Sequence, residues 1–507
     1  MSERRTLSGS ITVFASLSLM LVASFLLALL ESARVKGLEA YSGMHRENAV
    51  ESVLSAYDRD LFDRFGIFLL DGGYGSGTLQ FAQIDGRLLE ISQKNLRPDV
   101  RGLSLHTAQN FYQMDVAQAQ MERYLLATDA DGAPFRAMAA ASMKARYPAE
   151  ALQTLSEQFR RSETAMDQAK QSQSSMNEAQ QQIAQAKKQA AEAAQSGDTA
   201  DQPDAAPVEP PENPMDVVKE LKKTDLLTLV MPEGVRVSEK QIDGSTTLEH
   251  RQLIQGNEPW SGSADWSEPV LYQQFLQTQF RCFTSETAGS GALDYELEYI
   301  AAGKDSDHAN LKSVVRRVLL LREGANFLYL QADAAKQAEA YELAAAIAAA
   351  FAIAPATPLL AQGILATWAY AESILDVRAL LSGGRVPWIK TAESWSSDLS
   401  GIGTLLAGNA QAKTTESGDD YTGYLQKLLY FTSARASNYR AMDLMEWYRA
   451  GCGEGQIRMD AMIVTFRAAF CYEAQPLFSG LVTLQRLSVD RLEFAASATG
   501  SYFKKNQ

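Results

Sequence analysis

Cysteine and histidine are scarce in this chain. Three cysteines, Cys282, Cys452 and Cys471, stand among 507 residues, and no two of them form a CxxC pair. An odd count cannot be paired fully within one chain, and this argues against a disulfide scaffold or a structural zinc site. The four histidines, His45, His106, His250 and His308, have no ligand-like partner three or four residues on, and neither H-E-x-x-H nor G-x-S-x-G occurs. Positive charge is in deficit too, with 47 basic against 61 acidic residues and a net charge of −14. An acidic surface repels phosphate backbones, so nucleic acid is not an expected partner.

The fragments that resemble chemical motifs are incomplete. Ala302-Gly303-Lys304 ends like a phosphate-binding loop, but Glu298 stands where the earlier glycine is needed and Asp305 where a Ser or Thr would hold magnesium. The glycine-rich run Gly72 to Gly77 is not followed by a clear helical pattern and reads as a flexible turn. Asp129, Asp131 and Gly132 read as a surface turn, lacking the other ligands of a calcium loop. Asp305, Asp307, His308 and Asn310 are explained by helix capping. Cys452, between glycines, has only Arg449 near it, too little to activate a thiol. No catalytic, cofactor-binding or metal-ligating residue is therefore expected, no small-molecule substrate, and no enzymatic role.

What the sequence does have is one long apolar run. Ile11 to Leu30 is 20 residues without a charge, which at ~1.5 Å per residue spans a ~30 Å hydrocarbon core. It exceeds the apolar core of a cleaved signal and lacks an A-x-A site. Residues 1–10 form a short tail carrying Arg4 and Arg5, easily kept in the cytoplasm, which would place the long C-terminal part outside. Arg34 and Lys36 follow the run, so the charge bias alone is nearly balanced. Glu31 and Arg34, three residues apart, share one helical face at the membrane edge. They suit an interfacial ion pair, or contacts to neighbouring anchors.

The remainder reads as a helix-rich α+β body. Residues 31–148 comprise a continuation of the first helix over Glu31–Ala56, with sparse apolar positions at Leu38, Val50, Val53 and Leu54, and then a short buried strand at Gly66–Leu70. Residues 149–196 carry a helical stripe (Leu152, Leu155, Phe159, Met166, Ala169, Met176, Ala179, Ile183, Ala186) that predicts a solvated, coiled-coil-like arm. Residues 197–214 are a disordered linker with prolines at 203, 207, 210, 211 and 214. Arm and linker together read as an insertion into the body, which resumes over 215–507. There the patterns predict an amphipathic helix at Met215–Leu229, a hairpin within Val235–Thr247 and a helix at Tyr272–Phe283. Leu293–Ala301 alternates like a half-buried strand. A helix over Asn310–Leu328 is capped by Ser306 or Asp307. Uncharged Leu343–Ala371 is dominated by alanine and broken by Pro355 and Pro358, which suits two buried helices better than a second membrane span. An amphipathic helix lies within Thr415–Ala450, a strand at Ile457–Cys471, and one or two more strands within Leu481–Phe503.

Several segments, in order, carry a resemblance: GSITVFASLSLMLVASFLLALLESARV, AVESVLSAYDRDLFDRFGIFLLD, LDYELEYIAAGKDSDHANLK, WAYAESILDVRALLSGGRVPWIK and YTGYLQKLLYFTSARASNYRAMDLMEW. Together they resemble an uncharacterised bacterial membrane-anchored family, a domain of unknown function whose members accompany Tad-type (Flp-type, type IVc) pilus components. The N-terminus also resembles Tad minor pilins in its short basic leader, Gly9, apolar helix and E-x-x-R pair at Glu31 and Arg34. The resemblance implies a structural or assembly role with protein partners and offers no catalytic residues. A prepilin cut between Gly9 and Ser10 would carry glutamate as its fifth mature residue. Phe14 stands there instead, so the anchor is expected to stay uncleaved.

Two functional readings follow. One is a membrane-anchored, pilin-like accessory subunit of a Tad-type pilus or secretion apparatus, with its C-terminal body outside the cell membrane. The other is an anchored extracytoplasmic binding or sensing module unrelated to pili.

Overall fold

A computed structural model describes the chain except for residues 1–7, 97–111, 196–212, 263–264, 287–290, 352, 454, 478–490 and 504–507. Residues 197–212 of the expected linker, His106 and part of the last strand region lie outside the described residues; the linker's last two positions are not linker, since Asn213 caps a helix that Pro214 opens. The chain is helix-rich α+β, divided into two compact units. The first comprises residues 1–138, 253–262 and 452–507, and the second 139–252 and 263–451.

The first unit is built on a single helix. α1 runs without interruption from Ser8 to Leu54, 47 residues, or ~70 Å at 1.5 Å per residue. Its second half carries a buried stripe at positions 31, 34, 38, 42, 45, 49 and 53. Those steps of three and four residues keep one face turned to the body. α2 (Arg59–Phe65) follows, capped by the Asp58 carboxylate and closed by Gly66 at φ 70°. Then come β1 (Leu70–Asp71), α3 (Phe81–Leu96) and β2 (Met114–Leu126). β3 (Met462–Ala474) and β4 (Leu492–Ser501) are supplied by the far end of the chain.

The four strands form one antiparallel sheet centred on β3. β2 pairs with β3 from Met114 opposite Ala474 to Leu126 opposite Ile463. β4 pairs with β3 from Leu492 opposite Ala474 to Ser501 opposite Thr465, and β1 with Ile463 and Met462. β2 therefore occupies one side of β3, and β4 and β1 lie end to end along the other. α1 and α3 pack on the sheet. One core of Leu38, Val50, Val53, Ile84, Leu88, Phe466 and Phe470 joins helices to strands. Gly500 lets β4 approach α1, because a Cβ there would sit 2.3 Å from Val50 Cγ1 and 2.6 Å from Leu54 Cδ1.

The second unit is helical. α4 (Asp129–Lys144), whose first ten residues belong to the first unit, leads to α5 (Ala149–Gln195), α6 (Pro214–Leu221), α7 (Leu226–Val230), α8 (Glu268–Gln279) and α9 (Glu296–Ala302). Then follow α10 (Asp307–Ala332), α11 (Ala334–Ala350), α12 (Thr357–Leu381), α13 (Ile402–Ala407), α14 (Tyr421–Tyr430) and α15 (Ala434–Gly451). α10 and α12 pack on each other and are both covered by α5, while α11 lies on α12. α12 is buried along nearly its whole length.

Several expectations need correction. Leu293–Ala301 is not a strand: Leu297, Glu298, Tyr299, Ile300 and Ala301 are all buried in α9, so the alternation of acidic and apolar residues does not mark a solvent face. Val235–Thr247 forms no hairpin. It holds a 3-10 turn at Gly244–Thr246 and a single bridge from Gln241 to Ser306. The strand expected at Gly66–Leu70 reduces to Leu70–Asp71. Met215–Leu229 is two short helices, and Thr415–Ala450 contains α14 and α15. The expected arm is helical but is not a solvated arm, because Leu152, Phe159, Met176, Ala179 and Ile183 are buried where α5 packs on α10 and α12. Met166, Ala169 and Ala186 have side chains outside the described ones. The proline-broken alanine stretch does form two helices. Pro355 lies in the connecting turn, and Pro358 opens α12, where its missing N–H costs nothing.

Candidate functional site

Among the described residues, α1 is the one helix long and apolar enough to cross a membrane. From Ile11 to Leu30 none of its residues is buried by the described residues: Phe14 is 74% exposed and Leu21 72%. Soluble proteins rarely leave an apolar surface of this size uncovered. Two of its hydroxyls are internally satisfied, as lipid demands. Ser16 Oγ donates to the Val13 carbonyl at 2.9 Å and Ser24 Oγ to that of Met20 at 2.7 Å. Gly9 and Ser10 lie in the first turn of α1.

Burial begins at Glu31. Arg34 Nη1 lies 3.0 Å from Glu31 Oε1, and Arg34 is only 2% exposed. Arg34 Nη2 donates to the Tyr112 carbonyl. Tyr112 lies flat on the helix because residue 37 is glycine, where a Cβ would stand 2.6 Å from the tyrosine Oη. Tyr112 stacks on Tyr41 at 5.1 Å, and Tyr41 meets His45 edge-on at 4.1 Å. Burial lowers the His45 pKa. The pair at positions 31 and 34 is thus the first point at which the body grips the helix. Tyr112, far away in sequence, completes it.

The other sequence candidates serve the fold. Asp129 is buried and accepts from Leu126 N at 2.7 Å and Gly256 N at 2.9 Å. It anchors a left-handed turn through Ala130, Asp131 and Gly132, a turn that leaves Ala130 and Asp131 at the surface. Ser306 Oγ caps α10. Asp307 instead accepts from Ser238 Oγ and from the amides of Asp294 and Tyr295, and Asn310 bridges the backbone of Lys304. The Gly72–Gly77 turn is tightly held, because both Asp71 oxygens accept backbone amides and Gly75 packs against Gly455. Cys452 is exposed and Cys282 buried. No group of three or more His, Cys, Asp or Glu among the described residues is placed to hold a metal.

Three arrangements in the second unit escape sequence reasoning. The first is a buried charge quartet. Lys390 Nζ lies 2.7 Å from both Glu372 Oε1 and Asp376 Oδ1, and Arg322 Nε 2.9 Å from Asp376 Oδ2, all four side chains being fully buried. Burial opposes ionisation of Asp376, but Arg322 and Lys390 hold its carboxyl below the ordinary range. Arg322 also donates to the carbonyls of Pro387 and Trp388, and Glu372 accepts from the amides of Ser396 and Ser397. The quartet therefore pins the segment after α12 onto α10 and α12. The second is a pair of buried carboxyls, Glu298 on α9 and Asp443 on α15. Glu298 accepts from Tyr421 Oη and Phe283 N, and Asp443 from Tyr299 Oη and Leu248 N. Burial pushes both up to about 7. The third is a cleft of about 640 Å3 walled by α5, α10 and the segment 221–229.

These features define a class: a helix-rich α+β protein with one N-terminal helix fit to cross a membrane. More narrowly, the chain belongs to a family of unknown function, DUF5702, which matches residues 205–474, over half of its length. No curated protein and no solved structure matches it.

Proposed function

We propose that the protein is a membrane-anchored, pilin-like accessory subunit of a Tad-type pilus or secretion apparatus, its body outside the cell membrane. The observation that carries this reading is the division of α1. Its first half is bare and apolar, and its second half lies along an antiparallel sheet without a break. A subunit built so offers its anchor to lipid and to neighbouring helices while its head stays folded. Small residues at Ala15, Ser16, Ala23 and Ser24 allow close lateral approach in the bilayer. The order of the segments that resemble the Tad-associated family supports the same reading.

Phe14 argues for a place at the base and not along a filament shaft. A glutamate in hydrocarbon would seek a positive partner on a neighbouring subunit, because an unpaired carboxylate there is costly. Phenylalanine removes both the cost and the attraction. The basic residues of the short tail favour an outward body.

The test joins processing, topology and partners. Mass spectrometry of the native protein should find no chain beginning at Ser10. Exposed Cys452 should react with an impermeant maleimide on intact cells. Cross-linked native membranes should yield pilus-assembly components with this chain. A mature N-terminus at Ser10 overturns the retention argument, and labelling only after lysis overturns the topology. Recovery without any pilus component leaves the binding-module reading in its place.

A further inference from the structure

The cleft of the second unit has a charge balance opposite to that of the chain. Lys222, Lys223, Lys312 and Arg316 line it against only Asp225 and Glu323, four cations to two anions in a chain of net charge −14. These cations differ in what they already hold. Lys312 is paired with Asp225, and Lys223 with Glu220. The Lys222 ammonium sits 4.5 Å over the ring of Tyr370. Arg316 is exposed and has no ion pair among the described residues. It stands on α10 one turn before Leu319 and Leu320, which join Leu221, Leu226 and Met176 in an apolar wall. Glu323, fully buried at the cleft floor, is already engaged by Ser172 Oγ at 3.1 Å and by the Gln173 side-chain amide. The Lys222 ammonium is the cation whose charge it feels, and no ion pair joins it to Arg316 among the described residues.

We propose that this cleft binds a small amphiphilic anion, a phosphate or carboxylate head carried on an aliphatic body. The head would meet the planar fork of Arg316, whose geometry suits either oxyanion, with Lys312 and Lys223 adding charge at the rim. The aliphatic part would lie along the leucines. Neither half of the site suffices alone. A free anion leaves the leucine wall wet, and an apolar molecule leaves the guanidinium unmatched. Such anions reach a membrane-anchored protein from two sources, phospholipid headgroups and free fatty acids, and both present the same chemistry to the cleft. The proposal stands apart from the pilus reading and neither needs nor tests it.

The full chain, reconstituted in phosphatidylcholine nanodiscs, is titrated by calorimetry with hexyl phosphate, hexanoate, inorganic phosphate and hexanol. Hexyl phosphate or hexanoate should bind saturably and at least tenfold tighter than inorganic phosphate or hexanol. Preference between the first two identifies the headgroup. Arg316→Glu, an exposed substitution that leaves the packing intact, should weaken binding at least tenfold, and Arg316→Gln less so. Affinity should fall as salt rises. Absence of saturable binding by the two amphiphiles overturns the proposal. So does equal affinity for inorganic phosphate, or binding unchanged in Arg316→Glu.

Discussion

Replacing Lys390 by methionine should destabilise the second unit severely. Methionine has nearly the length of the lysine stem, so the packing change is small and the effect is electrostatic. Lys390 Nζ now faces Glu372 and Asp376 at 2.7 Å each and donates to the Ser394 carbonyl at 3.1 Å. Without it, Arg322 still covers Asp376, but Glu372 is left as a buried anion holding only the amides of Ser396 and Ser397. Breaking a buried ion pair from one side costs about 3–5 kcal/mol, a large share of the ~5–15 kcal/mol by which a domain is stable. In urea, at a slope of about 3 kcal/mol/M, the midpoint should fall by ~1–1.7 M. Tryptophan fluorescence reads the transition, since Trp368 and Trp395 lie 5.8 Å apart beside the pinned segment. The decisive arm is the double variant Lys390→Met with Glu372→Gln. It removes one charge of each sign, keeps a side-chain acceptor for the serine amides, and should recover most of the loss. A single variant that costs less than ~1 kcal/mol, or a double variant no better than the single, would refute the view that charge balance holds this segment.

Two further predictions concern the separate units. Glu298 and Asp443, pushed up to about 7 by burial, keep protons in the folded chain that the unfolded chain, at ordinary carboxyl values, has released. Their contribution is therefore complete below the unfolded values and is lost as pH rises through about 7, at no more than ~2.7 kcal/mol per pH unit for two protons. Urea midpoints should fall between pH 5 and pH 7.5, and Glu298→Gln with Asp443→Asn should flatten that slope. In the first unit, Gly500→Val should cost ~1–3 kcal/mol by overpacking, because its Cβ would meet Val50 and Leu54 at 2.3 and 2.6 Å. A thermal midpoint unchanged from the parent would contradict the close helix–strand approach.

The legible parts of the fold were those whose signal is local. Ile11–Leu30 is bare of charge, Ser306 caps α10, and Pro355 marks the turn between α11 and α12. β2 was not legible. Its pairing partner lies more than three hundred residues away, and register shifts at Val116/Gln118 and Met121/Arg123 break the alternation that would announce a strand. α9 was misread because Glu298 is buried: a charged residue normally marks the solvent face, and this one is held inside by Tyr421 and Phe283. The quartet did leave a trace. Glu372 and Asp376, four residues apart, interrupt the apolar run of α12, and Arg322 and Asn326 repeat that spacing on α10. Nothing local said that the two pairs face each other, nor that Lys390 would close them. The same limit hid Tyr112, which completes the grip on Arg34 from a position 78 residues on.

The unbroken α1 has a mechanical consequence. With no loop between the apolar half and the sheet-bearing unit, there is no swivel where the apolar run ends. Any tilt of the apolar half is imposed on the packed half as by a rigid lever. For a typical tilt of ~20°, the ~36 Å from Glu31 to Leu54 swings its far end by about 12 Å. Likewise, turning the helix about its own axis would turn the sheet with it. Whatever rotates the apolar half would thereby re-aim the packed half, and a pull on the packed half would arrive in the apolar half as torque.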